Sequence, residues 1–395
     1  MTAGERRASL SLAGIFALRM LGLFLVLPVF VLEAAKYPGG DDPALVGLAM
    51  GAYGLAQAAL QMPLGLASDR WGRKKVILMG LLVFAAGCVA AALADSVQTL
   101  ALARGLQGAG AISAAVTALL SDLTRDEVRT RAMMLVGISI GLTFALSLMI
   151  APPLTAALGG LPGLFWLTAV LALVSMGVVA WVTPAEPPRP PSVARGRWAD
   201  VWLHPQLWRL DVGVFVLHTV QMAMWVVVPG LLVQAGLPKA QHWHLYVPAV
   251  LAAFVLTGGM MALDRRGYLR GILRGGIALL LAVQLLMLAL APRLPGLWAL
   301  GLCLTLFFLA FNTLEIIQPS LLSRLAPPAS RGAALGQYNA LQSLGLFAGG
   351  ALGGLLLKHG GVTAVFAVTA ALAALWLLLG WAQPVPARQT PGSRG

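Results

Sequence analysis

The sequence predicts an all-α membrane protein: twelve transmembrane helices in two six-helix bundles, with both termini cytoplasmic. Three observations carry this prediction. Of 395 residues, 59% are hydrophobic and only 10% charged, whereas soluble domains run to about 25% charged. The apolar residues come in long continuous runs, and a bilayer core takes roughly 20 residues of helix. Lys and Arg gather in alternate gaps between those runs, the pattern by which cytoplasmic loops are held inside.

Taken in order, the chain opens with Thr2 to Ser9, which carries Glu5, Arg6 and Arg7. No small-residue cleavage site follows, so a retained first helix is expected rather than a removed signal peptide. Spans are predicted at 10–33, 44–67, 75–94, 97–121, 132–156, 162–183, 207–235, 242–263, 272–291, 295–321, 331–357 and 361–382. None alternates between polar and apolar residues, which argues against strands. Between the sixth and seventh spans lie Pro184, Pro187, Pro188, Pro190 and Pro191, then Arg195, Gly196 and Arg197. Such a composition makes a semi-rigid spacer. It divides the chain into a bundle at 1–183, a cytoplasmic linker at 184–206, a second bundle at 207–382 and a tail at 383–395. Arg131 and Arg331 each open the fifth span of their half, as in an internal repeat.

With the N-terminus inside, 21 of the 27 Lys and Arg fall in cytoplasmic segments. Four (Lys36, Lys239, Arg293 and Lys358) fall outside, and Arg19 and Arg104 lie within spans. The formal charge of +13 therefore orients the chain. A nucleic-acid partner would need basic residues collected on one soluble face, and none is expected. The partner is the bilayer. Cys88 and Cys303 sit in apolar runs of different halves, with no disulfide or metal spacing. The five histidines are scattered and none belongs to a HExxH pair. No enzyme, metal or cofactor is expected, and the protein is expected to be a monomer.

The most informative segment follows the second span: Gly65-Leu66-Ala67-Ser68-Asp69-Arg70-Trp71-Gly72-Arg73-Lys74-Lys75. A basic anchor would explain the cations but not Gly65, Asp69 and Gly72. Glycine permits tight turning and close helix approach. Asp69 can bond Arg73 or helix-end amides, so the cluster is suited to latch one arrangement of the two halves. In the fourth span stands Arg104-Gly105-Leu106-Gln107-Gly108, and Asp122 ends that span.

These segments resemble the major facilitator superfamily, whose signature loop reads G-x-x-x-D-R-x-G-R-K and whose fourth helix carries R-x-x-Q-G. Gly4 to Arg7, Leu18 to Gly22 and Ser121 to Arg125 resemble its YajR-like branch of drug–proton antiporters. The resemblance implies that Asp69, Arg73, Asp122 and Arg131 form a charge network stabilising the outward-open state. It also implies a bacterial-type inner membrane location and alternating access. The fifth span departs from the antiporter pattern, with Ala151 before Pro152 in place of glycine. Gly137 and Gly141, like Gly345, Gly349 and Gly353, are four apart, a spacing expected to serve close helix packing. Asp264-Arg265-Arg266-Gly267, the counterpart of the signature loop, reads as a cytoplasmic anchor.

Ionisable groups at membrane depth cost several kcal/mol unless paired or hydrated. Arg19 is expected to face the central cavity or to form a buried structural pair, and the motif context of Arg104 favours an inward role. Asp211, His218, Gln221 and Trp225 share one face of the seventh span. Asp211 is near the inner end, where simple solvation would account for it. His218 is either a bonded neutral histidine or a proton carrier. Glu315, three residues after Asn312, is the first choice for a proton site, with His218, Arg19 and Asp211 as further coupling candidates. Glu33 is expected to be an exposed carboxylate at the outer surface. Tyr53, Gln57 and Gln61, and likewise Tyr338 and Gln342, form polar stripes that line a cavity or bond between helices, and Gln221, Trp225 and Asn312 are further cavity-lining candidates. The function these features imply is proton-coupled efflux of a small hydrophobic or cationic compound. A proton-independent facilitator or importer, and a non-transporting membrane sensor, are the alternatives.

Overall fold

The computed structural model describes residues 1–186, 204–265, 268–293, 296–326 and 331–381. Most of the predicted linker and the whole predicted tail lie outside the described residues, as do the side chains of Asp264 and Arg265. The described chain is helical and without strands. Ten helices are long and apolar enough to cross a membrane.

The α-helices of the first half begin with α1 (Ala3–Val26), α2 (Phe30–Ala34), α3 (Pro43–Trp71) and α4 (Arg73–Ala92). They are followed by α5 (Val97–Ala109), α6 (Ser113–Asp122), α7 (Asp126–Ala157) and α8 (Leu161–Gly177). The second half holds α9 (Pro205–Gln234), α10 (Trp243–Arg265), α11 (Leu269–Leu290), α12 (Leu297–Leu325) and α13 (Arg331–Trp381).

Three departures from the predicted spans have local causes. The first span starts earlier, at Ala3, because Thr2 and Glu5 form a reciprocal capping box. It then breaks around Pro28, which has no N–H to donate, and resumes as the short α2. The fourth span is split into α5 and α6 at Gly110 to Ile112. The Gly110 carbonyl, released from the helix ladder, accepts a hydrogen bond from Arg19 Nη2 at 3.3 Å. Irregular backbone survives at membrane depth where buried protein groups satisfy it. The last two predicted spans run on as α13, interrupted only at Gly361, whose φ of 65° and ψ of −166° are not helical.

The outer surface matches a lipid solvent. Leu102, Val255 and Leu378 are largely exposed, an arrangement that water would penalise. The exposed tryptophans collect at helix ends. Trp71, Trp181, Trp208 and Trp381 mark the end that bears the signature loop, and Trp166, Trp243 and Trp298 mark the opposite end. Indole rings favour the two membrane interfaces.

Packing inside is asymmetric along the helix axes. At the end opposite the signature loop, one apolar core joins both halves, from Leu25, Val46 and Phe165 to Leu231, Tyr246 and Phe308. Towards the signature loop, Leu12, Ile15, Val76, Leu119 and Val136 form a separate core built from the first half alone. The halves thus close on each other at one end.

Candidate functional site

The signature loop turns at Gly72, whose φ of 114° is a left-handed conformation that a side chain would strain. The turn brings Arg73 back onto Asp69, at 2.5 Å, and across to Asp122, at 3.2 Å. Arg73 Nη1 also donates to Ser68 Oγ. Gly65 lies one side chain from Ala114. Sequence reasoning missed Glu186. Its carboxylate accepts from the backbone amides of Arg73 and Lys74, capping the amide end of α4, where no local side chain does so. Lys74 Nζ donates to the Thr183 carbonyl at 2.6 Å. The signal available was an α4 N-terminus opened by Gly72, a residue with no side-chain acceptor. Asp69, Arg73 and Asp122 therefore meet, but Arg131 stands exposed on α7 and does not join Arg73, and Arg70 is exposed as well. Three residues, Leu123 to Arg125, separate α6 from α7, and Arg131 stands more than a turn into α7.

Among the described residues, Arg19 and Arg104 are buried in the first half without a carboxylate against them. Arg19 donates to Tyr53 Oη at 2.9 Å and to Ser113 Oγ at 3.4 Å, and lies over the Phe84 ring. Arg104 donates to Gln107 Oε1 at 2.8 Å and stacks on the rings of Tyr53 and Phe30. Tyr53 serves both cations, so its hydroxyl makes a helix–helix bond rather than a cavity wall. Gly108 lets α5 reach the Tyr53 carbonyl, since a Cβ there would lie 2.1 Å from that oxygen. Gln61 is buried on α3, while the half-buried Gln57 crosses to Ser343 of the second half at 3.1 Å.

The second half assembles a different constellation. His218 on α9, Glu315 on α12 and Gln342 on α13 come together. The Gln342 amide donates to Glu315 Oε1 at 3.0 Å and to His218 Nε2 at 2.8 Å. His218 Nδ1 bonds the Val214 carbonyl at 3.0 Å. A carbonyl only accepts, so this bond places the proton on Nδ1 and leaves Nε2 as an acceptor facing Gln342. Glu315 Oε2 lies 3.5 Å from the same Nε2, and its side chain is 35% exposed. Asp211 is 1% exposed and accepts from Gln337 Nε2 at 2.5 Å. Solvation, expected at the inner end of α9, does not occur because α13 covers that face. Gln221 and Trp225 are buried further along α9, where Trp225 packs edge-on to Tyr246. Asn312 is half-buried and Tyr338 is buried.

The glycines divide by neighbour. Cβ atoms at Gly345, Gly349 and Gly353 would strike Phe215, Thr219 and Ala223 of α9. Gly350 and Gly354 present the next face of α13 to Gly47 of α3 in the first half. Gly141 has only ordinary contact, with Phe254, and Gly137 faces open space. The close packing expected at Gly137 is not made, because the residue is exposed on the side of α7 away from α1. Pro152 lies within α7.

At the end opposite the signature loop, Glu33 is buried and ion-paired to Lys36 and, across the halves, to Lys239. The exposed carboxylate expected there is thus a buried link, because the break at Pro28 folds α2 inward. Asp42 and Lys358 make a second link between the halves at 2.7 Å. Phe24, Phe144 and Phe308 form an edge-to-face chain between the same halves.

The sequence matches the family described as Major Facilitator Superfamily over residues 12–350 and 252–395. It is 41% identical over 382 residues to the inner membrane transport protein YajR of Escherichia coli K12, covering 95% of this chain and 83% of the relative. It is 28% identical over 353 residues to the multidrug resistance protein MdtH of Yersinia enterocolitica, covering 85% and 82%. The fold aligns with a bacterial homolog of the human lysosomal transporter Spinster, solved inward-facing and occupied. The TM-score is 0.74 at 15% identity, with 96% and 97% of the two chains covered. The signature loop, the helix-borne motif at Arg104 and these matches all point the same way: the chain belongs to the major facilitator superfamily of transporters.

Proposed function

We propose that this protein is a secondary transporter of the inner membrane that expels a small hydrophobic or cationic compound in exchange for protons. The observation that carries this reading is the contact of Glu315, His218 and Gln342. A half-exposed carboxylate beside a neutral histidine can hold either a proton or a cationic ligand, but not both at full strength. Occupancy by one then disfavours the other, and each shifts the access equilibrium only by its differential affinity for the two states. The relatives' names, an inner membrane transport protein and a multidrug resistance protein, support the membrane and the direction. Arg19 and Arg104 keep fixed positive charge buried in the first half, a field that favours a proton or cation in the second half instead.

The test is transport by purified protein in proteoliposomes, with ethidium as the probe and an imposed pH gradient. Ethidium should move against the proton flow and stop when nigericin collapses the gradient. Movement that survives collapse would assign a proton-independent facilitator instead. A compound panel screened by thermal stabilisation identifies further substrates, because a true ligand raises the melting temperature by mass action.

A further inference from the structure

Three buried polar atoms remain unexplained by the Glu315 site. Asp211 Oδ1, Tyr338 Oη and Glu315 Oε2 have no hydrogen-bond partner among the described residues. Tyr338 belongs to α13, one residue beyond Gln337, which holds the other oxygen of Asp211. It is also one helical turn before Gln342, which holds the other oxygen of Glu315. Gln337 and Gln342 thus hold Asp211 of α9 and Glu315 of α12 against α13, and Tyr338 lies between the two glutamines in the chain. Asp211 and His218 share the facing side of α9, two turns apart.

Buried polar groups are normally hydrogen-bonded, and a buried carboxylate with no cation against it is expensive in its charged form. Among the described groups facing Asp211 there is none that carries positive charge. The Gln337 amide bonds it, Gln318 of α12 and Trp376 of α13 lie against Gly213, two residues along α9, and His218, two turns along, has Nδ1 committed to Val214. A single proton on Asp211 removes the unpaired charge and supplies a donor for one of the unused atoms.

We infer that Asp211 is a second proton-binding site, linked in series to Glu315 through the Tyr338 hydroxyl. It rests on the proton-coupled reading of the Glu315 site and deepens it. The transfer is a hop: the proton on Asp211 Oδ1 moves to Tyr338 Oη, directly or through a water, as Tyr338 passes its own proton to Glu315 Oε2. Asp211 is left as carboxylate, Glu315 becomes the acid, and the phenol is unchanged. Asp211 is closer than Glu315 to the signature-loop end of the bundle, so the chain gives protons a route to Glu315 from that end. Tyr338 is a positioning and relay residue; the two carboxyls hold the protons.

The experiment is an infrared pH titration of purified, lipid-reconstituted protein, which reads protonated carboxylic acids without any substrate. Between about pH 5 and 8, where ordinary carboxylates stay ionised, wild type should show two titrating carboxylic-acid bands. Glu315→Gln removes one and Asp211→Asn the other, while Asp211→Glu, which keeps the acid, retains two bands with one displaced. Tyr338→Phe keeps both bands, but proton uptake after a pH jump, followed with an indicator dye, slows by roughly tenfold or more. An unchanged band pattern in Asp211→Asn overturns the second site. Two bands together with unchanged uptake in Tyr338→Phe overturn the link. Failure of ethidium transport to need a gradient would count against the Glu315 reading alone, and leaves the infrared result to stand separately.

Discussion

At the scale of single residues, the charges inside the bundle are divided by half. The first half buries Arg19 and Arg104 on hydroxyls, a carbonyl and aromatic faces, while the second half buries Asp211 and shelters Glu315. A guanidinium keeps its charge under all ordinary conditions, so of these four groups only Asp211 and Glu315 can change charge during a cycle. Glu315→Gln preserves the shape and one acceptor but cannot release a proton. Ethidium exchange by this variant should become insensitive to pH across the range in which wild type responds, and drop by roughly 100-fold or more under a gradient. Counting radiolabelled or fluorescent substrate bound at equilibrium separates lost coupling from lost folding, because binding of a neutral hydrophobic substrate should persist. A wild-type pH profile in the variant removes Glu315 from the coupling step.

At the scale of elements, the contact between α3 and α13 sets how tightly the two halves can close. A Cβ at Gly47 would sit 2.3 Å from the Gly350 carbonyl, and one at Gly54 would sit 2.5 Å from the Ser343 carbonyl. Backbone oxygens cannot move aside as a flexible side chain can, and over-packing costs about 1–3 kcal/mol. Gly47→Ala should therefore raise the population open at the Asp42 end by about tenfold. Spin labels at the exposed positions Asp41 and His359 would report this as growth of a longer distance in pulsed EPR. Gly105→Ala, where a Cβ meets nothing within 4 Å, is the control and should leave the distances unchanged. Equal behaviour of the two variants would mean that the contact does not limit closure. These elements also show what was legible beforehand. The apolar runs fixed the positions of most helices, and the spacing of Gly345, Gly349 and Gly353 pointed to a close neighbour. Sequence spacing does not name the partner, and α13 turned out to use one glycine face within its half and another across the halves. The break between α5 and α6 was hidden because an apolar run looks continuous whether or not one carbonyl leaves the ladder to meet a distant arginine. Glu186 was hidden for a similar reason: it caps a helix more than 100 residues away.

At the scale of the whole molecule, the structure is held closed at one end by two ion pairs between the halves, Glu33 with Lys239 and Asp42 with Lys358. At the other end the cluster of Asp69, Arg73, Asp122 and Glu186 is made within the first half. Alternating access requires that these closures be exchanged, so weakening the ion pairs should favour the state open at the Asp42 end. Acid offers one way to do so. The Lys358 ammonium beside Asp42 holds its carboxyl below the usual carboxylate range. A depressed pKa means that the closed state gains from this pair at every pH above the ordinary carboxylate value, and loses that gain as pH falls through the lowered one. Between pH 5 and 8 the pair is therefore fully formed, and proton coupling in that range has to arise elsewhere. Reversing one charge tests the link without acid. Lys358→Glu places two carboxylates together and should lengthen the Asp41–His359 label distance, and Asp42→Lys should do the same by opposing two cations. The double exchange, Asp42→Lys with Lys358→Glu, restores an opposite pair and should return the distance distribution towards wild type. Each single reversal should also slow ethidium exchange by holding the carrier on one side, with recovery in the double variant. Absence of that recovery would show that the two positions act independently rather than as a clasp between the halves.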